Sequence, residues 1–124
     1  MKYLLDANII IYALTGTGDR LRDNLARCLE GDLAISAIAF AEVAKGIGLG
    51  KPPPLAALDA FIKEVTLLPF DAAAAQAYAR LPFRRGSFDR LIAAHALATG
   101  LTLVTSNDAD FADIPGLKVE NWMV

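Results

Sequence analysis

The sequence predicts an α/β fold in which a short parallel sheet is covered by helices on both faces, a three-layer arrangement. Three observations carry this. Short apolar runs of strand length alternate with longer stretches of helical spacing along the whole chain. No junction carries the Asn-Gly or Asp-Gly signal of a tight hairpin, so successive strands must be joined by crossovers. At 124 residues the chain has the length of one domain around one core, spanning 1–124.

Each element has a local reason. Residues 2–6 form a first buried strand, and 8–14 a short helix with Asn8 as its N-cap. Asp19 caps a helix over 19–29, with Leu21, Leu25 and Leu29 on one face and Gly31 as its stop. Residues 33–36 are a second strand, followed by a helix over 37–47. The spacing Gly46, Gly48, Gly50 and the run Pro52 to Pro54 break that helix. Residues 55–65 keep Leu55, Leu58, Ile62 and Val65 in helical register, and 66–69 are a third strand. Asp71 caps an alanine-rich helix over 72–81. A loop over 82–87 leads to a helix that starts at Phe88 or Asp89 and is stopped by Gly100. Residues 101–105 are the clearest strand, 106–111 a turn, and 118–122 a final strand. No repeat, linker or low-complexity tract interrupts this order.

Composition narrows the function classes. The hydrophobic fraction is 55% and the net charge −2, so no global field draws the chain to nucleic acid. The apolar surplus suggests that a partner covers some of it. No run approaches the ~20 apolar residues of a membrane span, and the start is too short and acidic for a secretory signal. A soluble cytoplasmic protein with no membrane partner is expected. Cys28 is the single cysteine, which excludes an internal disulfide and a thiolate zinc cluster. It reads as a small buried hydrophobe on a helix.

The chemistry lies in the acids. Asp6 ends the first strand, Glu42 interrupts an apolar helix, Asp89 opens another helix, and Asp108 and Asp110 follow the strand over 101–105. In open parallel sheets, sites form beyond the carboxyl ends of the strands, which is where Asp6, Asp108 and Asp110 fall. Carboxylates gathered there need a cation or raised pKa values. Each acid also has a plainer reading: Asp89 as a helix cap, Asp108 and Asp110 as turn residues, Glu42 as a solvated partner of Lys45. Asp6 has no such structural role. His95 lies six positions beyond Asp89, off its helical face, and reads as a hydrogen-bonded packing residue.

In order and context these residues resemble the PIN-domain ribonucleases, and most closely their VapC toxin branch. Tyr3-Leu-Leu-Asp6-Ala-Asn8 is similar to the opening Leu-Asp-Thr-Asn of that family, with Ala7 for Thr. Ser36-Ala-Ile-Ala-Phe-Ala-Glu42 is similar to its Ser-x-x-Thr-x-x-Glu, with Ala39 for Thr. Asp89-Arg-Leu-Ile92-Ala-Ala-His95-Ala96 resembles its Asp-x-x-Ile-Ala-Ala-His-Ala helix, and Val104-Thr-Ser-Asn107-Asp108-Ala-Asp110-Phe111 its Val-Thr-x-Asn block. The resemblance covers nearly the whole chain. Ala7 and Ala39 remove hydroxyls that orient acids or water in such sites.

The resemblance implies a PIN-like fold and a metal-dependent endoribonuclease that is the toxin of a type II toxin–antitoxin pair. It implies Asp6 and Asp89 as ligands of Mg²⁺ or Mn²⁺. Glu42 and Asp110 complete the catalytic set, with Asn8, Asn107 and Asp108 as secondary candidates. One metal or two stays open, as does which of Asn107, Asp108 and Asp110 closes the site. A metal-activated water would hydrolyse the RNA phosphodiester, leaving a 5′-phosphate. The partners it implies are RNA, a cognate antitoxin protein and a second copy of the chain. Arg84 and Arg85 are the expected substrate contacts, with Lys45, Lys51, Arg80 and Arg90 as further neighbours. Two other readings compete: a non-cleaving PIN-like module that binds RNA or protein, and a phosphatase faintly resembling the haloacid dehalogenases, with Asp6 as nucleophile.

Overall fold

A computed structural model describes residues 1–82 and 87–124. Strands are Tyr3–Leu5 (β1), Leu33–Ser36 (β2), Thr66–Leu68 (β3), Thr102–Thr105 (β4) and Val119–Asn121 (β5). Helices are Ala7–Thr15 (α1), Asp19–Ala26 (α2), Ala37–Gly48 (α3), Leu55–Glu64 (α4), Ala72–Ala79 (α5) and Phe88–Thr99 (α6), with a 3₁₀ turn at Asp108–Phe111. The strands form one parallel sheet in the order β3-β2-β1-β4-β5.

That order positions the site. From β1 the chain steps outward through β2 to β3, then returns to the other side of β1 for β4 and β5. The connections therefore diverge at β1, and right-handed crossovers in opposite directions cover opposite faces of the sheet. A crevice opens beyond the carboxyl end of β1, where such folds bind ligands. Register holds it firmly: Leu4 lies opposite Ala34 and Leu103, and Leu5 opposite Ile35 and Val104. All six are fully buried. Near-continuous apolar strands are what a sheet covered on both faces requires. Leu103→Ala, at a position with 0% exposure, is expected to cost about 3–5 kcal/mol in urea unfolding. A loss below about 0.5 kcal/mol would remove Leu103 from the core.

Several boundaries differ from expectation. The N-cap of α1 is Asp6, whose carboxylate accepts from the Ile9 N–H at 2.9 Å, and Asn8 lies inside the first turn. Gly18 precedes α2, so Asp19 is its first residue rather than its cap. That helix stops at Ala26 because the Asp32 carboxylate takes the Leu29 N–H at 2.9 Å and folds the chain back. Leu29 is consequently exposed, and Cys28 is half-buried just past the helix, its thiol donating to the Asn24 carbonyl. Gly46 and Gly48 remain helical, and α3 ends where the Lys51 N–H closes onto the Gly46 carbonyl. Asp71 caps α5 as expected, and Gly100 ends α6 in the left-handed conformation at φ 71°. Among the described residues no helix is long and apolar enough to cross a membrane.

Candidate active site

Asp6 directly follows β1 and is 6% exposed. Burial raises its pKa, the Thr105 hydroxyl and the Ile9 N–H pull it partly back, and the charge of Asp89 raises it further. The hydroxyl that reaches Asp6 thus comes from the end of β4, not from position 7 or 39, both of which are alanine. Thr105 was not singled out from the sequence. Its signal was a polar residue at the end of an apolar strand.

Glu42 lies on α3, which the Ser36 hydroxyl caps by accepting from the Ile38 N–H. It is half-buried, and its Oε1 is buried with no hydrogen-bond partner. Glu42 and Lys45 form no ion pair, so the plainer reading of Glu42 as a solvated partner of Lys45 does not hold. Burial first, then Asp89 and Asp6, push the Glu42 carboxyl up to about 7.

Asp89 sits in the first turn of α6 but does not cap it. Ser87 does, its hydroxyl accepting from the Asp89 N–H at 3.1 Å. The Asp89 carboxylate is therefore released toward the crevice, where burial and then Asp110 raise its pKa against the opposing charge of Arg90. Asp110 accepts from the Asn107 amide at 2.6 Å, and the Asn107 N–H donates to Thr105 Oγ1. Asp108 turns away and accepts from Asn121 on β5 at 3.2 Å. Of the two late acids, Asp110 is thus the one whose charge reaches Asp89.

The sheet and three helices accordingly gather Asp6, Glu42, Asp89 and Asp110 into one electrostatically coupled centre. Asn8 is exposed beside it in sequence on α1. Arg84 and Arg85 lie outside the described residues. Arg90 is not a rim cation: it is buried, donating to the Asp113 carboxylate at 2.8 Å and to the Asp110 carbonyl at 3.4 Å. It therefore fastens the turn carrying Asp110 to the helix carrying Asp89. Lys45 and Lys51 do flank the Glu42 side of the centre, whereas Arg80 lies with Leu97 and Pro115 elsewhere. His95 is packed, as expected. It is 2% exposed, hydrogen-bonded through Nδ1 to Ser36 Oγ at 2.9 Å, and set edge-on to Phe70. Among the described residues no three Asp, Glu, His or Cys side chains stand grouped as a ready metal cage.

A model of the PIN domain family matches residues 3–117. The chain belongs to the PIN-domain family. Its relatives place it in the VapC ribonuclease-toxin branch. It is 35% identical to the ribonuclease VapC2 of Rickettsia felis and 32% identical to the tRNA(fMet)-specific endonuclease VapC of Shigella flexneri, with 98% of each chain covered in both cases. Its fold superposes with a TM-score of 0.82 on a chain of the R. felis VapBC2 complex bound to promoter DNA, at 33% identity over 98% of this chain and 99% of that one. A chain of DNA-bound VapBC from Salmonella typhimurium gives 0.80 at 29% identity, with 98% of each covered. The PIN-domain sheet and the full-length match leave no place for the dehalogenase-type reading.

Proposed function

We propose that this VapC-family protein is a metal-dependent endoribonuclease and the toxin of a toxin–antitoxin pair. The observation that carries the proposal is the coupled acidic centre with the unpartnered Glu42 Oε1. An uncompensated buried carboxylate oxygen beside two further acids is costly unless something positive arrives. The donors are all hard oxygens, which suits Mg²⁺ or Mn²⁺. Mg²⁺ commonly takes one or two carboxylates and completes its shell with water and substrate phosphate, so a preformed three-ligand cage is not required. Asp6 and Asp89 are the ligands we assign. Bound there, the cation would shield the scissile phosphate and make water a better nucleophile.

The protein's own side chains do the rest. The Ile9 N–H holds the Asp6 carboxylate, the nearby Thr105 hydroxyl favours its charged form, and Ser87 leaves Asp89 free to face the crevice. Glu42, whose Oε1 is buried without a hydrogen-bond partner, would orient the attacking water or hold a second cation. Asn107 and Arg90 set Asp110 at the edge of the centre.

The name of the S. flexneri relative makes tRNA(fMet) the first RNA to try, and the VapBC complexes make a VapB-type antitoxin the expected protein partner. A second copy of the chain is the other partner we expect. Antitoxin-free protein should cut tRNA(fMet), or an RNA pool containing it, with Mg²⁺ or Mn²⁺. EDTA should stop the reaction and excess metal restore it. Equal cutting in EDTA would remove the metal from the mechanism, and no cutting of any RNA would overturn the nuclease reading.

A further inference from the structure

Glu42 separates the acidic centre from a neighbouring groove of about 550 Å³. Ile38, Ala41, Leu49 and Phe88 line it, with Lys45 and Lys51 beside them. Phe88 immediately precedes Asp89 in α6 and is 59% exposed, while Leu49 is 65% exposed. A phenyl ring held this open at the edge of a reaction centre has a face available for a flat partner. The lysines stay close to the groove for a structural reason. The Lys51 N–H donates to the Gly46 carbonyl at 2.9 Å, and the Lys51 stem lies 3.8 Å from where a Cβ at Gly46 would stand. Lys51 is thereby folded back onto α3 over Gly46, next to Lys45, and neither is in an ion pair with a described acid.

We propose that this groove is a nucleotide subsite: Phe88 stacks on an unpaired base next to the scissile phosphate, and Lys45 and Lys51 hold flanking phosphates. The inference rests on the ribonuclease reading and extends it to substrate choice. An acidic centre repels a polyanion, so much of the binding energy for RNA must come from beside it. Unpaired bases are the part of RNA that proteins read by stacking, and every base has a π-face. A peptide side chain would also fit the apolar floor. The juxtaposition of an aromatic face next in sequence to Asp89, two uncommitted cations and Glu42 in the groove wall matches a nucleotide better.

The test is a cycle between enzyme and substrate in Mg²⁺ or Mn²⁺. Wild type, Phe88→Ala and Phe88→Trp are each assayed on a cleavable RNA and on versions with an abasic nucleotide on either side of the cut. Urea unfolding confirms that the variants remain folded. Phe88→Ala should lower kcat/KM roughly tenfold or more, mainly through KM, and Phe88→Trp should restore it. One of the abasic substitutions should cost wild type the same factor and cost Phe88→Ala nothing further. Additive losses, or an unchanged kcat/KM for Phe88→Ala in an otherwise active enzyme, overturn the subsite and leave the nuclease standing. If Phe88→Ala cuts normally but no longer binds the co-expressed antitoxin, the groove belongs to a protein partner and the proposal fails. Absence of cleavage by wild type on every RNA overturns the nuclease reading and this subsite with it.

Discussion

Asp6→Asn is expected to abolish RNA cleavage while leaving the fold intact. Asn is as good an N-cap as Asp, so its side-chain oxygen can still take the Ile9 N–H that Asp6 accepts at 2.9 Å. The Thr105 hydroxyl can rotate to suit an amide. What disappears is the charge. An amide binds a hard cation far less well than a carboxylate, and with it goes the field that organises the reacting phosphate. A loss of about 1,000-fold or more is expected in single-turnover cleavage, on the order of 4 kcal/mol of transition-state stabilisation. Stability should move the other way or not at all, because burial and Asp89 both oppose ionisation of Asp6 in the metal-free fold. Cleavage within a few-fold of wild type, by a sample shown to be free of contaminating nuclease, would take Asp6 out of the mechanism.

Glu42→Gln should separate function from stability through pH. The Glu42 carboxyl is pushed from 4.5 up to about 7 in the fold. Between those values the folded protein keeps a proton that the unfolded chain has lost. Stability contributed by this group is therefore complete below about pH 4.5 and drains away as pH rises to about 7. Gln cannot ionise and does not suffer that loss. In EDTA, the variant should match wild type near pH 4 and exceed it at pH 8 by about 1–2 kcal/mol, the full shift being reduced by solvent screening of a half-buried group. The raised pKa values of Asp6 and Asp89 act in the same direction on wild type, so the difference between the two proteins, not either curve alone, reports the Glu42 charge together with its repulsion of those two acids. Cleavage by the variant should fall despite its greater stability. Equal stability of the two proteins across pH 4–8 would mean that the orphaned Oε1 finds a partner in solution.

Most of the architecture was legible because it depends on local rules. The strand over 101–105, the Asp71 cap and the Gly100 stop were each readable from a few neighbours, and all three are present within a residue or two. The misreadings share a cause. The sequence offers Asn8 as the cap and no structural role for Asp6, yet Asp6 Oδ1 caps α1 while its charge raises the pKa of Glu42. Gly46 and Gly48 looked like breakers but lie within α3. Glycine's cost in a helix is only about 1 kcal/mol and is overridden by packing. Helix 19–29 was drawn too long because the Asp32 side chain, not a glycine, takes the next free N–H.

Five acids, Asp6, Glu42, Asp89, Asp108 and Asp110, stand out from order and context alone, because a carboxylate ending or interrupting an apolar segment lacks the usual solvent outlet. Their relation to one another does not. Whether Asp89 caps its helix or faces the crevice depends on Ser87 taking the Asp89 N–H, a choice of hydrogen-bond partner that spacing leaves open. Asp108 and Asp110 are equivalent in the sequence and diverge only because Asn121, brought alongside by β5, claims the first. Arg90 reads as a surface cation until α6 and the turn at Asp108–Phe111 are packed together and bury it against Asp113. Element type and the inventory of acids follow from interactions a few residues long, so they are written in the chain. The partner of each side chain follows from β4 returning beside β1, and long-range packing of that kind exists only in the folded molecule.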